Sequence, residues 1–303
     1  MTDFEILEKI SKVAVIGAGT MGAQIAQTLS QIGKFKVALT STSLTSVERG
    51  MRMITDNLER YFVNKGIMTR AEMEEVLGRI HGIGTLSEAV SEADFVIEAV
   101  YENLELKKNI FKQLSDFTRQ ETILATTTSD FNITEISRAT TKPDKVIGMH
   151  FFHPASTSKL IEVVKGSLTS EETVQVACAL TRKLGKEPLV CKDFSYGFLA
   201  NRAYTPMVME AVQMVWERVA SPADIDKSLK LGYGLPIGPL ELFDLLGIWK
   251  IQVSAEADKI KELGEKGRLH PLIRMMDRAG YTGGPGKKGI YAFYNEVLEP
   301  HHK

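Results

Sequence analysis

Residues 13–22 read Val-Ala-Val-Ile-Gly-Ala-Gly-Thr-Met-Gly, and this stretch decides the fold. A short apolar run ends at Gly17, and the residues from 24 to 32 read as a helix. In such a strand–turn–helix, Gly17 permits the tight turn, Gly19 lets the backbone approach a pyrophosphate, and Gly22 lets the helix pack on the strand. The pattern predicts a dinucleotide-binding loop with five cofactor contacts: Gly17, Gly19, Thr20, Met21 and Gly22. The alternative is a glycine-containing turn without a ligand.

The segment after the second predicted strand bears on which dinucleotide is bound. An NAD enzyme normally carries an acidic residue here, which binds the adenosine ribose. This chain reads Thr40-Ser41-Thr42-Ser43 instead, and Ser41 is the predicted cofactor contact. Without a carboxylate, the repulsion that excludes a 2′-phosphate is absent, although the nearest arginine is only reached at Arg49. NAD is the expected cofactor, and NADP stays open as an alternative.

Apolar, strand-like runs alternate with helical segments as far as residue 191. The runs are 13–16, 36–39, 94–100, 122–125, 145–149, 160–164 and 187–191. This alternation predicts an α/β fold, with an N-terminal Rossmann-like, doubly wound parallel sheet. Residues 45–77 have helical spacing and dense charge, and they predict a helical hairpin insertion that is broken near Gly66 and stands off the sheet.

The pattern changes after Asp193. The segments 198–219, 222–231 and 240–261 have helical spacing, and the glycine- and lysine-rich residues 280–288 read as a loop. We therefore expect two domains: a dinucleotide-binding Rossmann domain over residues 1–193, and a smaller, all-helical C-terminal domain over residues 194–303.

Composition limits the classes of function. The 303 residues include 37 basic and 38 acidic ones, for a formal net charge of −1, so no basic excess indicates a nucleic acid or an anionic membrane as partner. No apolar run approaches the ~18 residues that a membrane span needs. Cys178 and Cys191 are too few for a disulfide framework and lack metal-ligand spacing. We expect a cytoplasmic protein with no metal, nucleic-acid or membrane partner.

A histidine and a glutamate stand on two of the predicted strands. His150 directly follows the run 145–149, and Glu162 lies twelve residues later on another apolar run. A carboxylate beside an imidazole fixes its tautomer and stabilises the protonated ring, which suits abstraction of a hydroxyl proton. On spacing alone, a structural histidine is the commoner case.

Several motifs occur in a fixed order along nearly the whole chain. They are Gly17–Gly22, Gly148–Pro154, Lys159–Val164, Cys191–Asp193, Gly197–Arg202 and Pro236–Leu242. Together they resemble the L-3-hydroxyacyl-CoA dehydrogenases, a family that includes the 3-hydroxybutyryl-CoA dehydrogenases. The resemblance extends from about Lys12 to Tyr291. It implies an oxidoreductase that transfers a hydride between C3 of a short-chain 3-hydroxyacyl-CoA and a nicotinamide cofactor.

The resemblance also implies four catalytic residues. His150 matches the general base, and Glu162 matches its carboxylate partner. Ser129 matches a serine that hydrogen-bonds the substrate oxygen, and Asn201 matches an asparagine that helps to hold the site. The alternatives from the residues themselves are a loop-capping serine and an asparagine engaged in a helix hydrogen bond.

Further expectations concern the cofactor, the substrate and the assembly. Glu102 and Lys107 match residues near the cofactor, with helix capping and a surface ion pair as the alternative. The hairpin side of the family's fold helps to hold CoA, which makes Lys65 a candidate phosphate contact. The family's helical domain mediates dimerisation, so a homodimer with a small-molecule acyl-CoA substrate is implied.

The departures from the family pattern cluster on the substrate side. They are Asp130 after the predicted catalytic serine, His153 before Pro154, the polar segment 155–158, and Phe194-Ser195-Tyr196 before Gly197. Asp130 and His153 are hypothesised to form an ion pair. The departures keep two alternatives open: a dehydrogenase of another β-hydroxy acid on the same scaffold, and a dinucleotide-binding protein without catalytic turnover.

Overall fold

A computed structural model describes residues 3–194 and 197–300, and these divide into two compact units, 1–198 and 199–303. Ser195 and Tyr196, which belong to the departure at residues 194–196, lie outside the described ranges. The domain limit predicted after Asp193 stays a prediction. No helix of the described ranges is long and apolar enough to cross a bilayer.

The first unit is built on a single eight-stranded sheet with the order β3-β2-β1-β4-β5-β6-β7-β8. The strands are β1 Lys12–Ile16, β2 Lys36–Thr40, β3 Ile80–Ile83, β4 Phe95–Glu98, β5 Ile123–Thr126, β6 Val146–Phe151, β7 Leu160–Lys165 and β8 Glu187–Lys192. The order reverses beside β1, as the doubly wound prediction requires. All neighbouring strands are parallel except β6 and β7, which are antiparallel. The predicted parallel sheet is confirmed for β1 to β6, while β7 and β8, which are parallel to each other, run in the opposite direction.

Helices cover both faces of this sheet. They are α1 Asp3–Leu7, α2 Thr20–Gln31, α3 Leu44–Leu58, α4 Arg70–Gly78, α5 Leu86–Val90, α6 Leu104–Phe117, α7 Ile133–Ser137 and α8 Glu171–Lys183. Because both faces are covered, the central strands are buried along their whole length and read as continuous apolar runs rather than alternating ones. The apolar side chains form two buried clusters, one on each face of the sheet.

The predicted hairpin is present as α3 and α4, with a π-helical turn at Glu59–Val63 after α3. The two helices of the hairpin are separated by a non-helical segment around Gly66, as predicted. The expectation that it stands off the sheet was wrong for α3, because Ile54 and Leu58 are buried in the core and Gly50 lies directly on Ala18. The helix is amphipathic, and its apolar stripe covers β3 and the glycine loop.

The second unit is all-helical, as predicted, around a core of apolar side chains such as Phe243 and Trp249. Its helices are α9 Ala200–Trp216, α10 Pro222–Tyr233, α11 Pro239–Leu246, α12 Ile248–Ser254, α13 Glu256–Leu263, α14 Pro271–Arg278 and α15 Ile290–Phe293. The predicted helical segment 240–261 consists of three helices, and the first of them, α11, ends where Gly247 takes the left-handed conformation at φ 71°.

Candidate active site

The glycine loop lies between the end of β1 and the start of α2, and each glycine has its own geometric reason. Gly17 has φ 108°, and a Cβ there would lie 2.3 Å from the carbonyl oxygen of Ala99. A Cβ on Gly22 would lie 1.7 Å from the carbonyl oxygen of Gly17. A Cβ on Gly19, by contrast, would meet no heavy atom within 4 Å among the described residues. The loop is therefore packed tightly at its two ends and open at its centre.

The open centre of the loop fits a dinucleotide. Gly19 is the N-cap of α2 and has no side chain, and the first turn of α2 carries no acidic residue. The positive end of the helix dipole and its first N–H groups therefore face the space that a pyrophosphate would occupy. Thr20 is exposed and Met21 half-buried at this helix start. Both lie on the loop, as the sequence predicts for cofactor contacts.

An orphaned hydroxyl lies at the next strand end. Thr40 ends β2, its carbonyl oxygen accepts a hydrogen bond from the Gly17 N–H at 2.8 Å, and its side chain is 2% exposed. Within the described residues its Oγ1 has no hydrogen-bond partner. A buried hydroxyl without a partner is costly, and a ribose hydroxyl is one group that would satisfy it. The half-buried Ser41 follows at the position of the absent carboxylate.

Lys107 and two glutamates form an ionic cluster beside the glycine loop, in which Lys107 and Glu98 are buried and Glu102 is exposed. The Lys107 ammonium is 0% exposed and lies 2.9 Å from Glu98 Oε1 and 3.1 Å from Glu102 Oε2. Burial would lower the pKa of Lys107, but the charges and hydrogen bonds of the two carboxylates outweigh it and raise that pKa. Lys107 is therefore charged, and the alternative of a surface pair is wrong.

Glu98 was missed by the sequence analysis. It ends β4, is completely buried, and accepts hydrogen bonds from Lys107, from the Val100 N–H at 2.8 Å and from the Thr126 hydroxyl at 2.7 Å. Four hydrogen bonds, counting both contacts of Lys107, compensate the burial of its charge. The sequence signal was a charged residue inside the apolar run 94–100, and such a residue is rarely buried without a partner.

Glu102 connects this cluster to the predicted substrate serine. Its Oε1 accepts a hydrogen bond from the Thr128 hydroxyl and one from the Ser129 N–H at 3.1 Å. Thr128 in turn accepts hydrogen bonds from the Asp130 and Phe131 N–H groups. The turn that carries Ser129 is therefore held on the same carboxylate as Lys107, and the structure brings Glu102, Lys107 and Ser129 together.

His150 and Glu162 face each other across two antiparallel strands. They are directly paired residues of β6 and β7, so their side chains lie on one face of the sheet. His150 Nδ1 lies 2.7 Å from Glu162 Oε2, with the two side chains 8% and 0% exposed. This carboxylate fixes the proton on Nδ1 and stabilises a positively charged ring, which leaves Nε2 as the nitrogen that can exchange a proton with a ligand.

Aromatic rings and a thiol surround this pair. The His150 ring centroid lies 4.6 Å from that of Phe152 and 5.9 Å from that of Phe198. Burial, with smaller effects from Glu162 and Asp193, raises the pKa of the Cys191 thiol to about 11. The thiol is therefore neutral at physiological pH and contributes no charge or nucleophile.

The remaining predicted site residue, Asn201, lies in the first turn of α9 in the second unit. The hypothesised ion pair between Asp130 and His153 stays a prediction. Ala155 in the polar segment is buried, and its N–H donates to Gln24 Oε1 of α2 at 2.7 Å. The segment after His153 is thereby attached to the helix that begins at the glycine loop.

The glycine loop and the His–Glu pair at the strand ends define the class of a dinucleotide-dependent dehydrogenase. Comparisons with known proteins then identify the family. Residues 12–194 match the NAD-binding domain of 3-hydroxyacyl-CoA dehydrogenase, and residues 197–293 match the C-terminal domain of the same enzyme. The chain belongs to the 3-hydroxyacyl-CoA dehydrogenase family, and it is an NAD-dependent oxidoreductase of that family.

Individual relatives agree with this membership. The 3-hydroxybutyryl-CoA dehydrogenase of Clostridioides difficile is 39% identical over 283 residues, which cover 93% of this chain and 99% of the relative. The mitochondrial hydroxyacyl-coenzyme A dehydrogenase of Homo sapiens is 37% identical, covering 94% and 91%. The crystal structure of (S)-3-hydroxybutyryl-CoA dehydrogenase from Ralstonia eutropha superposes with a TM-score of 0.85 at 35% identity, covering 93% and 98%.

Proposed function

We propose that the protein interconverts a short-chain 3-hydroxyacyl-CoA and the 3-ketoacyl-CoA, with His150 and Glu162 as its general-base pair. The observation that carries this proposal is the 2.7 Å contact between His150 Nδ1 and Glu162 Oε2 in a buried, antiparallel pair. A bound nicotinamide would supply the hydride acceptor at its C4. In oxidation, His150 Nε2 takes the proton of the 3-hydroxyl group, and Glu162 stabilises the resulting imidazolium.

The polar cluster next to the glycine loop positions the reactants. Ser129 hydrogen-bonds the substrate oxygen, and Glu102 holds the turn that carries it. Lys107 binds Glu102 from the other side and keeps it in place beside the cofactor loop. Glu98 anchors Lys107 from the sheet. The role of Asn201 as a residue that helps to hold the site stays a prediction. Such positioning is typically a large part of the rate enhancement of a two-reactant enzyme.

The substrate class follows from the relatives and from the hairpin. The Clostridioides difficile and Ralstonia eutropha relatives are named for 3-hydroxybutyryl-CoA, a four-carbon acyl thioester. On the hairpin, Arg60 and Lys65 lie on the Tyr61 ring, with Arg60 Cζ and Lys65 Nζ each 5.4 Å from its centroid. These cations are available for a CoA phosphate, and Lys65 is the contact that we propose. A cytoplasmic homodimer completes the proposal.

The experiment is the decrease of absorbance at 340 nm with acetoacetyl-CoA and NADH, with free acetoacetate and longer 3-ketoacyl-CoA thioesters measured in parallel. We expect rapid oxidation of NADH with acetoacetyl-CoA and its loss in His150→Ala. The control is His81→Ala, since His81 is an exposed residue of the edge strand β3. Turnover of free acetoacetate at the rate of the thioester would contradict the CoA requirement and favour another β-hydroxy acid as substrate. Binding of NADH without turnover of any compound would favour a non-catalytic protein.

A further inference from the structure

The end of β2 and the first turn of α3 form a cluster of hydroxyl groups at the position where an NAD enzyme has a carboxylate. Six of the seven residues from Thr40 to Ser46 carry a hydroxyl group, and none of the seven is charged. We propose that this cluster, with Arg49, binds the 2′-phosphate of NADP(H), so that the protein accepts NADP(H) as well as NAD(H). The inference rests on the nicotinamide-dependent function proposed above.

The cluster is ordered by its own hydrogen bonds. Ser43 is the N-cap of α3 and accepts a hydrogen bond from the Ser46 N–H. The hydroxyl group of Ser43 also lies 3.0 Å from that of Ser46, and Arg49 Nη2 donates to Ser46 Oγ at 3.4 Å. Residues 43, 46 and 49 follow each other at a spacing of three, so they lie on one side of the helix. The guanidinium group is therefore directed along the helix toward its N-terminus.

The packing of α3 places its N-terminal half next to the cofactor loop. Gly50 follows Arg49, and a Cβ on Gly50 would lie 2.8 Å from the carbonyl oxygen of Ala18, in the centre of the glycine loop. Thr40 is bound to the same loop through its carbonyl oxygen and Gly17. Ser41 therefore lies between two points that are both fixed to the pyrophosphate loop. An adenosine ribose on that loop would meet Ser41, where a carboxylate would repel a 2′-phosphate.

The chemistry of the cluster favours a phosphate. Hydroxyl groups and the backbone N–H groups at a helix start donate hydrogen bonds to phosphate oxygens, and the helix dipole has its positive end there. The first turn of α3 contains no acidic residue, and Arg49 makes no ion pair with the described residues. The buried Thr40 hydroxyl without a partner is an independent indication that a polar ligand group binds at this strand end. A neutral ribose of NAD(H) binds to the same hydroxyl groups.

The test is a binding measurement by NADH and NADPH fluorescence, which needs no turnover. We expect the two dissociation constants of the full-length protein to differ by less than 10-fold. Ser41→Asp should weaken NADPH binding by about 100-fold, the size expected when like charges meet at a binding surface, and should retain NADH binding because the carboxylate can accept a hydrogen bond from the ribose hydroxyl. Ser41→Asn, which matches aspartate in size but has no charge, is the matched control and should weaken NADPH binding much less than Ser41→Asp does.

A second pair of variants tests the arginine. Arg49→Gln should weaken NADPH binding by about 10-fold and leave NADH unchanged, because only NADPH offers the phosphate. Arg52→Gln, an exposed arginine one turn further along α3, should change neither. Isothermal titration with 2′,5′-ADP and 3′,5′-ADP then shows whether the 2′ position is recognised.

The possible results separate the two proposals. A wild-type preference for NADH of 10-fold or more, or equal weakening of both cofactors in Arg49→Gln, would overturn the NADP proposal alone. Equal binding of 2′,5′-ADP and 3′,5′-ADP would overturn it as well. Failure of the wild-type protein to bind either reduced cofactor would contradict the proposed dehydrogenase function.

Discussion

Glu162→Gln is the substitution that tests the proposed mechanism most directly. Glutamine has nearly the shape of glutamate and can keep one hydrogen bond to His150 Nδ1, but it removes the negative charge. In the proposed reaction His150 becomes positively charged as the hydroxyl proton arrives. The charge of Glu162 is therefore used chiefly in the transition state, and its removal should lower kcat rather than raise KM.

The magnitude follows from the burial and the distance. Both side chains are almost completely excluded from solvent, and their atoms are 2.7 Å apart, so water and salt screen the interaction little. A hydrogen bond to a charged group contributes about 2–3 kcal/mol, which corresponds to a roughly 30- to 150-fold lower kcat. Glu162→Asp, which retains the charge and shortens the side chain, should lose less than Glu162→Gln.

The assay combines steady-state oxidation of NADH by acetoacetyl-CoA with NADH binding and thermal unfolding. We expect unchanged NADH affinity and a cooperative unfolding transition in both variants, so that the loss is in the chemical step. A kcat within 3-fold of the wild type for Glu162→Gln, in a folded protein, would refute the role of the carboxylate. A Glu162→Gln variant with a raised KM and an unchanged kcat would refute the statement that the charge of Glu162 acts chiefly in the transition state.

Three further predictions concern the cofactor loop and two buried lysines. Gly19→Ala should leave the free energy of unfolding nearly unchanged and weaken NADH binding at least ~10-fold, since its methyl group occupies the open space of the loop. Gly22→Ala should lower the free energy of unfolding by about 1–3 kcal/mol, because its methyl group clashes with Gly17; urea unfolding and fluorescence titration distinguish the two variants. Lys107→Met should destabilise the protein by about 3–5 kcal/mol because two glutamates lose their cation, and Glu98→Gln in the same chain should recover part of this in urea unfolding; an unchanged midpoint would contradict the buried ion pair. Burial lowers the pKa of Lys142 to about 8 from 10.5, so the folded protein loses this proton at a lower pH than the unfolded chain does. The free energy of unfolding of the wild type should therefore rise by about 2–3 kcal/mol between pH 8 and 10.5 relative to that of Lys142→Met. Parallel pH profiles of the two proteins would contradict the lowered pKa.

Local signals in the sequence predicted the cofactor loop and most strands. The structure agrees with the role predicted for each glycine of residues 17–22: a Cβ would clash with backbone atoms at Gly17 and Gly22, and it would enter open space at Gly19. The strand β3 was missed because it is a four-residue edge strand, Ile-His-Gly-Ile, in which a glycine and an exposed histidine interrupt the apolar pattern. Its stability comes from pairing with β2 and from cover by α3, neither of which a local pattern contains.

The polar cluster shows a second limit. Glu102 and Lys107 are five residues apart, and spacing alone cannot tell an exposed pair from a buried one. Lys107 can be buried because Glu98, at the end of β4, forms an ion pair with it. A charged residue within a strand of otherwise apolar residues is the sequence signal that could have revealed this, because burial of a carboxylate requires a partner.

The reversal of β7 relative to β6 is the feature that brings the proposed catalytic pair together. Eight residues, 152–159, connect β6 to β7. A parallel connection needs a crossover of a dozen or more residues, so this length forces the chain to return antiparallel. The return brings Glu162 directly opposite His150 and on the same face of the sheet. The short connection was visible in the sequence, and it explains why residues twelve positions apart make a 2.7 Å contact at the carboxyl edge of the parallel strands β1 to β6.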